Sequence, residues 1–488
     1  MLLGLDLGTG SVKALLLAPD GTGAGEGSVS YSVRSPGPGW AESCPGEWWD
    51  AAGEAAREAV GSRGPEVTAI GLSGQMHGVV LSGTGGNPLR PAILWADARS
   101  TAQLGAYRSL DEDARMRLAN PPAAGMAGPT LLWLRDNEPE AYREARWALQ
   151  PKDWLRLRLT GEAVAEPSDA SATLLYDLLA DGWAYEVVET LGLRTDFLAS
   201  LVASSAAAGE LTREGAEHLG LRAGLPVAAG AGDTAAAMLG SGLGEPGLVQ
   251  LTVGTGAQIV APRDRPDPDL HGRTHLYRAA APALLYSMAA IQNAGLALEW
   301  TRRVLGASWE EVYEEAFAVP AGAEGATFLP YLSGERTPHL DPEARGAWSG
   351  LGLGHGREHL LRAALEGVAF ALREGLEALE EAGVSASELR LAGGGTTREP
   401  WRRLLADALA RPLRLLPETA AANASARGAA LLAGVASGVH ASVEETLTLA
   451  PEPQRTIYPG AEAPAYEAAY LRYREIYPRL RGLRLTPR

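Results

Sequence analysis

At 488 residues the chain is too long for one hydrophobic core, and its 46% apolar content can fill two. A net charge of −16 argues against nucleic acid and anionic membrane as partners. A single cysteine, Cys44, permits no internal disulfide, and neither a basic leader nor a long uncharged apolar run is visible, so the expectation is a soluble, cytoplasmic protein.

The first predicted element is a hairpin over residues 2–17. An apolar run stops at Asp6, turns through Gly8-Thr9-Gly10-Ser11 and resumes at Val12. Such a turn brings backbone N–H groups close to an anion, and Asp6 stands where a carboxylate can hold a hydrated divalent cation beside it. The pattern GxxxxGK[ST] is absent and a strand follows, so this is no Walker loop. Lys13 and Lys152 are the only lysines; Lys13 is either a phosphate ligand or a solvated strand residue. Alternation predicts a third strand over 28–33, a loop from Trp40 to Trp49 and an amphipathic helix over 46–60.

Residues 67–82 read as strand, loop, strand, with Gln75, Met76 and His77 framed by Gly74 and Gly78. A loop after a buried strand is where open α/β sheets place ligands. Asp97 and Arg99 can pair with each other or contact a substrate. Residues 111–160 look helical with Pro and Gly breaks, and Ser168 to Ser171 reads as a cap or turn. Over 225–242 a short strand runs through Gly230 and Gly232 into Asp233-Thr234 and an alanine-rich helix. Asp233 is either an N-cap or a general base, and a helix N-terminus would lower its pKa.

About half the chain later the first hairpin has an echo. VQLTVGTGAQIV, residues 249–260, repeats strand, Gly-Thr-Gly, strand, which suggests a duplicated domain. The turn Gly334-Glu335-Arg336-Thr337-Pro338 reads as a surface ion pair. A long helix is predicted over 357–381, a strand ending in Gly393-Gly394-Gly395, a helix over 399–410, a small-residue helix over 423–437 and a last helix over 462–481.

Taken together, DLGTG (6–10), GQMHG (74–78), PAILWADAR (91–99), PKDWLRLRLTGE (151–162), GDTAA (232–236), LSGERTPH (332–339), LAGGG (391–395) and RGAALLA (427–433) resemble the FGGY carbohydrate kinases, and among them the xylulokinases. The resemblance implies an α/β fold with two ribonuclease-H-like domains, of the actin, hexokinase and Hsp70 ATPase type, around a hinged cleft. It implies a sugar-side domain over 1–242 and a nucleotide-side domain over 243–488, the last helix being the candidate to pack back on the first domain. It implies ATP and Mg²⁺ as cosubstrates, Asp233 as catalytic base, Met76, His77 and Thr234 near the sugar, and Asp6 by the metal. Gly8, Thr9, Lys13, Thr255 and Gly256 would lie by the phosphates, and Gly393, Gly394 and Gly395 by the adenosine. A homodimer is common in such families. Thr234 stands where xylulokinases usually carry Asn, and Thr130 where a Lys is usual. The expected reaction is therefore phosphorylation of D-xylulose, with ribulose, xylitol or L-xylulose as alternative acceptors and a non-catalytic sugar sensor as the reading from another class.

Overall fold

The computed structural model describes residues 1–417 and 421–482. Two mixed sheets of seven strands dominate it. The first holds β1 (Leu2–Leu7), β2 (Ser11–Leu17), β3 (Gly23–Ser30), β4 (Ala69–Gly74), β5 (Ala207–Glu210), β6 (Pro226–Ala228) and β7 (Ala231–Gly232). Their order is β5-β6-β4-β1-β2-β3, and β7 pairs with the end of β4. The second holds β8 (Gln250–Val253), β9 (Ala257–Arg263), β10 (His275–Arg278), β11 (Leu285–Ile291), β12 (Leu389–Ala392), β13 (Leu413–Leu415) and β14 (Arg455–Ile457), in the order β10-β11-β9-β8-β12-β13-β14.

Both sheets share one kernel. A glycine-turned antiparallel hairpin gains an antiparallel strand on one side and a parallel strand on the other: β3-β2-β1-β4 in the first, β11-β9-β8-β12 in the second. The echo in the sequence is thus an echo in topology. β1 is a near-continuous apolar run because it is central and covered on both faces. The third strand runs over Gly23–Ser30 rather than 28–33, since its pairing with β2 begins at Leu17. The Trp40–Trp49 stretch is not all loop: Glu42–Ser43 pairs with Ala92–Ile93.

Each sheet has its own core. Leu3, Leu5 and Leu7 pack with Trp48 and Trp154 in the first, and the helix Arg357–Glu381 buries Leu365, Val368 and Leu372 in the second. A third core joins the two, with Leu2, Met76 and Ala236 against Tyr277 and Tyr286 and against Ala426 and Ala430.

The element that returns to the first domain is the helix Ala424–Ala436, which packs on β1, β2, β4, β6 and the helix Asp233–Gly240. Its small residues let backbones meet. A Cβ on Gly71 of β4 would lie 1.8 Å from the Ala429 carbonyl oxygen. The last long helix, Ala463–Arg474, instead packs on the helices Arg357–Glu381 and Glu399–Leu409 of the second domain, which corrects the expectation that it would pack back on the first. Its buried tyrosines fix it there: Tyr470 donates to Glu377 at 2.6 Å and Tyr473 to the Tyr331 hydroxyl at 2.9 Å.

Gly71→Ala is expected to destabilise the protein by about 2 kcal/mol or more, because the obstructing atom belongs to the backbone. Urea unfolding of the variant against the parent checks this, and an unchanged midpoint would contradict the close approach.

Candidate active site

Candidate residues from distant parts of the chain collect at the carboxyl ends of parallel strands. Asp6 is the penultimate residue of β1 and the turn from Gly8 to Gly10 follows that strand, Gln75 to His77 follow β4, and Asp233 follows β7, which is parallel to β4. Thr255 and Gly256 follow β8, and Gly393 to Gly395 follow its parallel neighbour β12. That edge is the general location of ligand sites in α/β sheets.

Asp6 is in register with Lys13 across the hairpin and with Ser73 on β4. Ser73 Oγ donates to Asp6 Oδ1 at 3.0 Å. Burial raises the Asp6 pKa, and the Ser73 hydrogen bond and the Lys13 charge oppose the shift. The Gly8 carbonyl accepts from Tyr31 Oη and, at 3.2 Å, from Gln75 Nε2. Thr9 Oγ1 accepts from Trp95 Nε1 at 2.9 Å. Lys13 Nζ donates to the Ala422 carbonyl at 2.9 Å, which ties the first hairpin to the chain entering the returning helix.

Asp233 is the first residue of its helix and Gly232 the N-cap. Its Oδ1 accepts from the Thr234 N–H at 2.6 Å and from Thr234 Oγ1 at 3.2 Å, and its carbonyl accepts from Ser425 Oγ at 3.1 Å. Its pKa is pushed up to about 7, by burial first and by the Asp6 charge second, against the pull of the Thr234 hydrogen bonds. The sequence-based expectation of a lowered pKa is therefore reversed: desolvation and a like charge outweigh the helix N-terminus.

Met76 is buried against Gly232, and its sulfur accepts from the Tyr286 hydroxyl of the second domain at 3.6 Å. His77 has φ +70°. Its Nδ1 lies 2.7 Å from the Ala172 carbonyl, an obligate acceptor, so Nδ1 carries the proton. Burial lowers its pKa to about 4, so the ring is neutral at pH 7 and Nε2 is an acceptor for a hydroxyl. From the second domain, Arg336 Nη2 meets His275 Nε2 at 3.2 Å, His275 stacks on Tyr277, and Tyr277 lies 6.0 Å from the His77 ring.

The Glu335–Arg336 surface ion pair expected from the sequence does not form. Glu335 is 3% exposed and accepts from the N–H groups of Gln292 and Arg336 and from Asn293 Nδ2, while the Arg336 guanidinium turns to His275. Asp97 and Arg99 do pair, at 2.7 Å and almost fully buried, and Arg99 also bonds Glu42 and covers Trp40. That pair is a structural bridge.

In the second domain the Thr255 turn is exposed, and the carbonyls of Gly254 and Thr255 accept from the Gly295 and Leu296 N–H groups, where the helix Gly295–Val304 begins. Gly393 sits at φ +97°, and a Cβ there would come within 2.2 Å of the Val253 carbonyl oxygen. The glycine run is thereby laid on the end of the second hairpin, with Gly394 and Gly395 exposed. Ser73, Tyr277 and Tyr286 join these groups without a sequence signal of their own, since each belongs to a strand whose neighbours only the tertiary fold supplies, and Trp95 joins them from the PAILWADAR motif.

Residues 1–240 match the N-terminal domain of the FGGY family of carbohydrate kinases, and residues 249–437 match its C-terminal domain. The chain belongs to the FGGY family of carbohydrate kinases. It is 34% identical to a xylulose kinase of Escherichia coli, over 98% of this chain and 99% of that one, and 32% identical to a xylulose kinase of Bacillus subtilis, over 99% and 97%. The crystal structure of xylulose kinase from Rhodospirillum rubrum superposes with a TM-score of 0.90 at 29% identity, covering 99% of this chain and 100% of that one. The protein is thus a carbohydrate kinase with two α/β domains of the actin and hexokinase type. Among the described residues no helix is long and apolar enough to cross a membrane.

The raised pKa of Asp233 has a consequence for the stability of this kinase. The ordinary aspartate value is about 3.9, so the fold favours the protonated form. The stabilisation from this group is full below about pH 4 and is lost as pH rises through about 7. Asp233→Asn is therefore expected to raise Tm at pH 8 by a few degrees and to leave it nearly unchanged at pH 4. A lower Tm at pH 8 would contradict the assigned environment.

Proposed function

We propose that this kinase transfers the γ-phosphoryl group of ATP to the terminal hydroxyl of a ketopentose, D-xylulose best, giving D-xylulose 5-phosphate and ADP. The observation that carries the reading is Asp233: a half-buried carboxylate with a pKa of about 7, within the field of Asp6, in a chain about a third identical over nearly its whole length to xylulose kinases. A group with that pKa is ionised enough at neutral pH to orient an alcohol and basic enough to take its proton. The sugar oxygen attacks the γ-phosphorus, the bond to the β-bridging oxygen breaks, and the proton passes to Asp233 Oδ2 while Oδ1 stays held by Thr234. His77 Nε2 accepts from a sugar hydroxyl, and Met76 supplies an apolar wall. The Gly8–Thr9 and Thr255–Gly256 turns and Lys13 receive the phosphates, and the Gly393–Gly395 run receives the adenosine.

The donor set fits Mg²⁺. Asp6 and Asp233 repel each other when ionised, and among the described residues no cluster of three or more His, Cys, Asp or Glu gathers into a protein cage. Mg²⁺ favours one or two carboxylates together with water and phosphate oxygens. Asp6 would hold it, and when bound it would supply positive charge to the phosphates.

One observation favours a second acceptor. The Thr234 hydroxyl donates to Asp233, whereas an amide in its place would have both a donor and an acceptor for the sugar. A related ketose or polyol is the reading if that contact sets the choice.

ADP release with Mg²⁺-ATP over a panel of pentuloses and pentitols tests both. D-xylulose is expected to give the highest kcat/KM, and a pentitol in first place would support the second reading. Asp233→Ala is expected to lower kcat about 10³-fold while ATP binding persists, and near-full turnover would remove the base. His77→Ala is expected to raise the sugar KM about tenfold, the order of one lost hydrogen bond to substrate, with the KM for ATP unchanged.

A further inference from the structure

Behind the candidate sugar side lies a cluster of charges that touches none of the residues assigned a role above except through one hydroxyl. Lys152, Asp153, Arg156, Glu166 and Asp169 are all 1% exposed or less. Lys152 Nζ reaches Asp153 at 2.8 Å and Glu166 and Asp169 at 3.1 Å, and Arg156 Nη1 reaches Asp153 at 2.8 Å and the Ala229 carbonyl at 2.5 Å. Three carboxyl groups face two cations, so the cluster is neutral only if one carboxyl keeps its proton. Asp169, whose oxygens find no hydrogen-bond donor in good geometry, has its pKa raised by burial. Buried ion clusters of this kind contribute little net stability compared with an apolar core.

The connection runs through Glu166 and Ser168. Glu166 accepts from the N–H groups of Ser168 and Asp169 and from the hydroxyls of Ser168 and Ser204. With its proton committed to Glu166 at 2.9 Å, Ser168 Oγ turns its lone pairs to the Gly232 N–H, which donates at 3.0 Å. Gly232 is the N-cap residue directly before Asp233 and contacts Met76. The same turn presents the Ala172 carbonyl that fixes the His77 tautomer.

We propose that Ser168, oriented by the Lys152–Glu166 pair, is a positioning residue for phosphoryl transfer: it holds the Gly232 peptide and so sets where the Asp233 carboxylate meets the acceptor hydroxyl. This rests on Asp233 being the base. Ser204 is the built-in control, because it donates to the same Glu166 from the same buried cluster and has no bond to Gly232.

The test compares Ser168→Ala and Ser204→Ala in the full-length protein, using whichever sugar the parent phosphorylates fastest, so that a wrong sugar assignment does not touch the outcome. Ser168→Ala is expected to lower kcat about 10- to 100-fold, the range for a buried donor left without its partner, with the KM for ATP and the number of ATP sites per chain unchanged. Ser204→Ala is expected to lower Tm and keep kcat within about twofold. If Ser168→Ala does not accumulate as folded protein, Ser168→Cys, similar in shape but a poor acceptor, carries the same expectation. An Ser168 variant with kcat above half the parent value overturns the proposal. So does an equal loss of kcat in the Ser204 variant, or a loss of kcat that merely tracks a loss of ATP sites. A dead Asp233→Ala protein beside an active Ser168→Ala protein would sink the positioning role and leave the base intact; an active Asp233→Ala protein would sink the base itself.

Discussion

Placing the half-buried Asp6 and Asp233 at one sheet edge is unfavourable for the fold, since desolvation penalises both ionised forms and the Asp6 charge adds to the penalty on Asp233. Much of the surrounding structure can be understood as what holds them there. Asp6 is fixed by β1 between two paired strands and by the Ser73 hydroxyl. Asp233 is fixed by the pairing of β7 with β4, by Thr234 on one oxygen and by Ser425 on its carbonyl. Neither carboxylate could keep its place on a loop free to relax towards water.

The returning helix Ala424–Ala436 makes that arrangement possible. It lies on the first sheet at backbone contact, brings Ser425 under Asp233 and brings the Ala422 carbonyl to Lys13. Alanine and glycine at its interface are therefore a requirement of distance, and the third core, shared by the two domains, forms around it. Close packing of small residues gives less apolar area per residue than leucine would, but it places the peptide groups and short side chains that the carboxylates need.

The elements legible in the sequence are those specified by local pattern. The two hairpins announce themselves by apolar runs broken at Gly-Thr-Gly, and the helix Arg357–Glu381 by its periodicity. The family motifs named Asp233, Met76 and His77, and the fold gathers their positions at one sheet edge. What was not legible depends on tertiary neighbours. The small-residue pattern at 424–436 says that something packs closely, not that it is the first sheet, so the pattern does not tell which helix returns to the first domain. The tyrosines of 463–474 bind glutamate and tyrosine partners that lie far away in sequence. Glu335 and Arg336 are adjacent in sequence, yet their side chains turn to different partners. The pKa of Asp233 follows the same logic, since a helix N-terminus is visible in sequence and a desolvated second carboxylate is not.

The most direct test of the central claim is a carboxyl carbon-13 NMR titration of aspartate-labelled protein between pH 4 and 9, without ligands, compared with Asp233→Asn. The account predicts a resonance that titrates near pH 7 and is missing from the variant. A resonance that vanishes with Asp233 but titrates below pH 5 would contradict it, and the carboxylate would then be an ordinary helix-terminal aspartate.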